Sequence, residues 1–326
     1  MKQFNMICLF LFIFVITFNS TPSPAENLSP GEQKQYDKAS RYWEKGNEYF
    51  KEGKYPKARD MYNKALKIYD KHIDALLNLA VVYEKEENYR EAETTYKKII
   101  EFNADIPDAH HNLGAIYESQ GKADAALLEY KEAIVADPYF AKSYNNMGLI
   151  FLNKNMLDQA IDNFKKAALY APHEVYGYVN LGTAYAGKGE YDNAIAEYNH
   201  AIELQPNSAF IYNNRGDAYL NKKMLDFAIL SFQKAIELDK KNYIAYRGMG
   251  DAYYLKGETE KAIENYEKSL EINKDYKNAY LNLGMAYKNT DKQKAIKYFE
   301  EYRKREDNKK NLEILDKIIS EMGITN

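Results

Sequence analysis

The 326-residue chain has one cysteine, Cys8, and one tryptophan. With a single thiol, disulfide frameworks, paired-thiol chemistry and cysteine-built metal sites are excluded. If the apolar N-terminal run that carries Cys8 is removed, no thiol remains, a composition suited to an oxidising compartment. Charge of one sign is lacking too: 45 Lys and Arg stand against 48 Asp and Glu, for a net charge of -3 and a pI near 6.1. No basic field exists to hold nucleic acid or an anionic membrane surface. Gly-rich phosphate loops, nucleophile elbows and zinc-ligand spacings are absent from the sequence. The five histidines are scattered except for His110-His111, and adjacent helical side chains diverge by about 100°. No metal site, cofactor or enzymatic activity is therefore expected.

One long hydrophobic run is present, Met6 to Phe18, preceded by Lys2 and followed by Ser23-Pro24-Ala25. This order reads as a secretory signal over residues 1–25, cut after Ala25. The run is shorter than the ~20 apolar residues of a spanning helix. The expectation is an exported protein, periplasmic or secreted; an uncleaved anchor is the alternative, and only then would the chain contact a membrane. Residues 26–38 read as a tether and the start of the first helix. Glu26–Glu32, ENLSPGE, is polar with a Pro30-Gly31 turn signal, and helical pattern begins near Gln35.

What the sequence has in quantity is repetition. Val175–Ser208 is a 34-residue unit, and a 34-residue window slid back to Ala39 or forward to Tyr276 keeps the same residue types in register. Such a period means stacked helix pairs. The eighth place holds Gly46, Ala80, Gly114, Gly148, Gly182, Gly216, Gly250 and Gly284. The twentieth holds alanine from Ala58 through Ala92, Ala126, Ala160, Ala194 and Ala228 to Ala262, with Ala295 one residue early. Glycine in a helix interior costs ~1 kcal/mol by propensity, so close helix packing must offset it, and the expected contact is glycine against the alanine twelve places on. Tyr178, Leu181 and Tyr185 share one face of the first helix, and Ala194, Tyr198 and Ala201 one face of the second. Most of the 31 tyrosines are thereby core residues, including Tyr144, Tyr212, Tyr246 and Tyr280 in one place and Tyr117, Tyr219, Tyr253 and Tyr287 in another. Gly187-Lys188-Gly189 reads as the turn between the helices, and Pro206, Pro172 and Pro138 close units.

The run of aromatic, Leu-Gly, Tyr, Ala, aromatic, Ala and Pro resembles the tetratricopeptide repeat family over 39–309, as eight repeats. Lys45 and Arg215 depart from the pattern beside the glycine, Ile99 stands where alanine is expected, and the last unit lacks one residue near Thr290-Asp291. The resemblance implies an all-α, right-handed superhelical solenoid of antiparallel helix pairs. Residues 310–326 are expected to form a capping helix, with Leu312, Leu315, Ile319 and Met322 on one stripe. Carboxylates elsewhere read as solvated outer faces.

In tetratricopeptide arrays the first helix of each pair lines the concave side. There, one place holds Asn78, Asn112, Asn146, Asn180, Asn214 and Asn282, interrupted by Glu44 and Gly248. A ladder of amides can donate to and accept from successive peptide units, or it can bond between repeats; both readings stand on the sequence. O-linked N-acetylglucosamine transferase has a similar ladder in its repeat region, but its catalytic domain has no counterpart here. Tyr176, Phe210 and Ile244 project on the same side, beside Asn213 and Arg247, with Asp217 and Asp251 one turn on. Pairing of Arg247 with the two aspartates is favoured over ligand contact. His110 falls in the core place, leaving His111 to face the groove. The basic residues that clamp an acidic chaperone tail in some relatives are missing. The expectation is a non-enzymatic protein-interaction scaffold that holds an extended peptide or partner segment. The alternative is an assembly component of an envelope, secretion or pilus complex, acting through repeat edges and outer faces or by self-association.

Overall fold

The structure is a computed structural model that describes residues 28–322. The expected signal, residues 1–25, lies outside the described residues, as does the end of the expected cap beyond 322. Among the described residues there are seventeen α-helices and no strand. None of these helices is long and apolar enough to cross a membrane.

The chain divides into two compact units, up to residue 143 and from residue 144. The first contains α1 (Pro30–Lys51), α2 (Tyr55–Ile68), α3 (Ile73–Lys85), α4 (Tyr89–Phe102), α5 (Pro107–Ser119) and α6 (Ala123–Ala136). The boundary falls within α7 (Ala141–Asn153). The second holds α8 (Leu157–Tyr170), α9 (Val175–Lys188), α10 (Tyr191–Leu204), α11 (Ala209–Asn221) and α12 (Leu225–Leu238). It continues with α13 (Tyr243–Leu255), α14 (Thr259–Ile272), α15 (Lys277–Tyr287), α16 (Lys292–Arg303) and α17 (Lys309–Glu321). Within each unit helices pack against their sequence neighbours, α1 through α6 in the first and α8 through α17 in the second, and α1 also touches α3, while α9, α11, α13 and α15 touch in succession. The second unit therefore has one continuous face built from the first helices α9, α11, α13 and α15.

Helix α1 begins five residues earlier than the sequence pattern suggests. The Ser29 side chain accepts from the Glu32 backbone N–H while the Glu32 carboxylate accepts from the Ser29 backbone, a closed capping box. Pro30, read as part of a turn, stands at the first helical position, where a missing N–H costs nothing. The tether over 26–32 is corrected accordingly.

The glycines also pack differently from expectation. A Cβ on Gly182 would lie 2.7 Å from the Tyr198 ring, and one on Gly216 2.6 Å from the Phe232 ring; Gly46, Gly114, Gly148, Gly250 and Gly284 likewise face the ring sixteen or, in the last pair, fifteen residues later. The nearest neighbour of the glycine is thus an aromatic ring, while the backbone of the alanine twelve places on also comes close at Gly114, where a Cβ would lie 3.3 Å from the Ala126 carbonyl oxygen. Those rings, Tyr62, Tyr96, Tyr130, Phe164, Tyr198, Phe232, Tyr266 and Phe299, are at most 2% exposed. They are the centre of the core. The two tyrosine places singled out from the sequence are mostly half-buried flanks of it, with Tyr144 and Tyr185 the buried members.

In seven of the eight pairs the turn between the helices contains one left-handed residue. Glycine supplies it at Gly53, Gly121, Gly189 and Gly257, whereas Glu87, Asn155 and Lys223 hold φ of 59°, 57° and 66° there. Gly187, expected in the turn, is still helical. At the C-terminal end, Leu315 and Met322 bury against Phe299 and Tyr302, so α17 covers the end of α16.

Candidate functional site

The asparagine series lies on the odd-helix faces, and most of its amides are engaged between helices. Asn78 Nδ2 donates to Asn47 Oδ1 at 2.8 Å, Asn112 Nδ2 to Tyr96 Oη at 3.1 Å, Asn180 Nδ2 to Asn145 Oδ1 at 2.8 Å and Asn282 Nδ2 to Asp251 Oδ1 at 2.6 Å. Asn146 Oδ1 accepts from Asn145. Asn78, Asn146 and Asn180 are buried, the last 2% exposed. Asn78, Asn112, Asn180 and Asn282 tie one helix pair to the next, as the alternative reading of the ladder had it. Asn214 differs: it is half-buried and makes no side-chain hydrogen bond.

The donors converge on shared acceptors. Asn47 Oδ1 accepts from both Tyr62 Oη (2.7 Å) and Asn78, and Asp251 Oδ1 from both Tyr266 Oη (2.9 Å) and Asn282. Tyr96 Oη donates to Glu84 Oε1 at 2.5 Å while accepting from Asn112, and Tyr130 Oη donates to Glu118 Oε2 at 2.7 Å. A buried hydroxyl without a partner costs ~1–3 kcal/mol. Tyr62, Tyr96, Tyr130, Tyr198 and Tyr266 each have a polar partner on the first helix of the pair, whereas Phe164 packs in a cluster with Leu149 and Leu152. Gly248 breaks the asparagine series because a Cβ there would sit 2.5 Å from the Phe232 ring.

Several carboxylates on the first-helix faces are not the solvated groups expected from the sequence. Glu84 is 6% exposed, and burial pushes its carboxyl up to about 7 against the opposing Tyr96 hydrogen bond. Burial likewise raises Glu118, Asp74 and Asp108. Glu306 is the opposite case. Burial would raise it, but donors from Tyr302, the Asn308 backbone, Asn311 and Lys277 outweigh that and hold it down to about 2. Spacing could not reveal any of these, since burial depends on the neighbouring helix.

His111, expected to face the groove, packs between the Tyr130 and Phe140 rings with Nδ1 3.0 Å from Ser143 Oγ. Burial, with Lys142 adding to it, lowers its imidazole to about 3. His110 is buried as expected, between Glu129 Oε2 and the Ala104 carbonyl. Among the described residues no three His, Cys, Asp or Glu side chains form a metal-binding group. Arg215 covers the Tyr212 ring and donates to Asn199 Oδ1 and Ser231 Oγ, which is how a charge is accommodated beside Gly216.

The remaining candidates gather on the face of the second unit. Arg247 of α13 donates to Asp251 Oδ2 at 2.5 Å and lies 3.7 Å from Asp217 Oδ1 of α11. Burial opposes its charge, and the two carboxylates outweigh burial and keep the guanidinium protonated. The sequence expectation of an Arg-Asp cluster is met. Two buried atoms in equivalent places of adjacent helices, Asn213 Oδ1 and Arg247 Nε, have no hydrogen-bond partner. On the same helices Phe210 of α11 is 41% and Ile244 of α13 36% exposed, while Tyr176 of α9 is half-buried, its hydroxyl pushed up to about 12 by burial and then by Glu174. Phe210, Asn214 and Asp217 follow at i, i+4 and i+7 on α11, so they share one stripe with Asn214 at its centre.

Family models described as tetratricopeptide repeat match residues 49–116, 107–140, 141–174, 209–242 and 278–308, and one described as TPR repeat matches 184–223 and 250–291. No curated protein matches the chain. Among solved structures, YrrB, described as a TPR protein with an unusual peptide-binding site, is 27% identical. The likeness covers 56% of this chain and 95% of YrrB, with a TM-score of 0.51. The C-terminal part of a TPR repeat-containing protein from Cytophaga hutchinsonii is 22% identical over 74% of this chain and 99% of that one, with a TM-score of 0.60. A chain of the APC/C hetero-tetramer Cut9-Hcn1 is 18% identical over 82% and 52%, with a TM-score of 0.59. The last two share the fold. With its glycine-on-ring helix pairs and family matches over residues 49–174, 184–242 and 250–308, the chain belongs to the tetratricopeptide repeat family.

Proposed function

We propose that this protein is an exported interaction scaffold that holds an extended segment of a partner protein on the first-helix face of its second unit. The observation that carries the reading is Asn214. It is the member of the amide series that makes no side-chain hydrogen bond, and exposed Phe210 stands one turn before it on α11, with Ile244 exposed on α13. An amide offers one donor and one acceptor to a peptide unit, worth roughly 0.5–1.5 kcal/mol net per bond, and the two apolar side chains add contact area. Arg247, Asp217 and Asp251 fix the spacing of α11 and α13 beneath them. The peptide-binding site in the description of YrrB supports the class of ligand.

The test uses dodecapeptides selected from a random displayed library on the full chain. Asn214→Ala is expected to weaken the selected peptides about fivefold, as loss of one such bond does, and Phe210→Ala by more, with the melting temperature little changed in both. Peptides that bind both variants as they bind the parent would refute the site. Export rests on the N-terminal sequence, and N-terminal sequencing of protein from the source cell should begin at Glu26; a chain beginning at Met1 would refute cleavage.

A further inference from the structure

A second surface lies in the first unit. Helices α4, α5 and α6 border an open cleft of about 430 Å³ lined by Lys97, Ile100, Glu101, His110, Leu113, Leu128, Glu129 and Glu132. Its floor is apolar: Leu113 is 1% exposed, and Leu128 stands 57% exposed on the wall from α6. Its rim is acidic. Glu101 of α4 and Glu132 of α6 are exposed and form neither an ion pair nor a hydrogen bond, while Glu129 lies 2.7 Å from His110 Nδ1 at the base. The one cation in the lining, Lys97, is directed elsewhere. Its ammonium is 2.6 Å from Glu93 and 5.7 Å from the Tyr117 ring, so only its stem borders the cleft.

An aliphatic floor between unpaired carboxylates is complementary to a long side chain that is apolar along its stem and cationic at its tip. We propose that this cleft docks a lysine or arginine side chain presented by a partner protein, with the stem against Leu128, Ile100 and Leu113 and the charged head between Glu101 and Glu132. An acidic or purely apolar side chain does not fit: the first is repelled by the rim, and the second leaves the two carboxylates without the counter-charge that recommends the site. The cleft is built from other helices than the proposed peptide face.

The probe is the amidated pentapeptide acetyl-Ala-Lys-Leu-Lys-Ala, with norleucine-for-lysine and glutamate-for-lysine versions as controls, titrated into the full chain at millimolar concentration. The readout is the imidazole resonance of His110 at the base of the cleft, assigned with His110→Gln. The lysine peptide should shift that resonance saturably, and both controls should not. Neutralising the exposed rim in Glu101→Gln/Glu132→Gln should weaken the lysine peptide about fivefold, the effect of losing two exposed ion pairs, and Leu128→Ser should weaken it without changing its salt dependence. Absence of a saturable shift, equal binding of the norleucine peptide, or unchanged affinity in the rim double variant would each overturn the proposal. Because Asn214 and Phe210 are untouched, either result leaves the reading of the second-unit face to its own test.

Discussion

Glu84 shows what a single side chain contributes here. Its folded-state pKa is raised from 4.5 to about 7, so the unfolded chain gives up the proton first as pH rises. Stability is therefore lost between about pH 4.5 and 7, and the full cost persists above 7. Glu84→Gln keeps an acceptor for the Tyr96 hydroxyl and removes the buried charge. It should raise stability by about 3 kcal/mol at pH 8 and by little at pH 4.5, measured by urea titration at the two pH values; a gain independent of pH would contradict the buried-charge account. Asn180→Ala, which breaks a buried bond to Asn145, should destabilise by about 1 kcal/mol. At this scale the sequence was legible only in part. It marked the asparagine places and the Arg247 pairing, but one recurring letter covers both Asn180, sealed at a helix junction, and Asn214, which is open. The difference lies in the partner the previous helix pair presents, and one position read alone carries no record of it.

Element boundaries follow from local chemistry, and two predictions belong to them. Glu87 and Lys223 occupy the left-handed junction position at which Gly53, Gly121, Gly189 and Gly257 stand in other pairs, a conformation that costs a residue with a Cβ about 1 kcal/mol. Glu87→Gly and Lys223→Gly should each stabilise by about 0.5–1 kcal/mol, read as a rise in the thermal midpoint, whereas a fall would mean that the side chains make compensating contacts. The second concerns α17. Glu306, 6% exposed, accepts from Tyr302, Asn308, Asn311 and Lys277, and its pKa is depressed from 4.5 to about 2. Its contribution is present above pH 4.5 and is lost as pH falls through 2. Glu306→Gln should therefore speed amide exchange across Lys309–Glu321 at neutral pH while leaving α9 to α13 unchanged. Helix α17 was readable from its apolar stripe. The start of α1 was misplaced because Ser29-Pro30-Gly31-Glu32 carries both a turn signal and a capping box, and only the backbone conformation distinguishes them.

For the whole molecule, the 34-residue period was enough to give the fold, because seven glycines at one place in the helices demand a close-packed partner in every pair. The period did not identify the ring as the nearest neighbour, since ring and alanine recur with the same register. Gly182→Val, which drives a branched side chain into the Tyr198 ring, should destabilise by about 2 kcal/mol, well beyond the effect of the same change at exposed Gly31. The central claim is that a partner segment lies along α11 and α13. Hydrogen–deuterium exchange of the full chain with and without a library-selected peptide tests it most directly. The account predicts slowed exchange concentrated in Ala209–Asn221 and Tyr243–Leu255; protection confined to α10 and α12, or to the first unit, would contradict it.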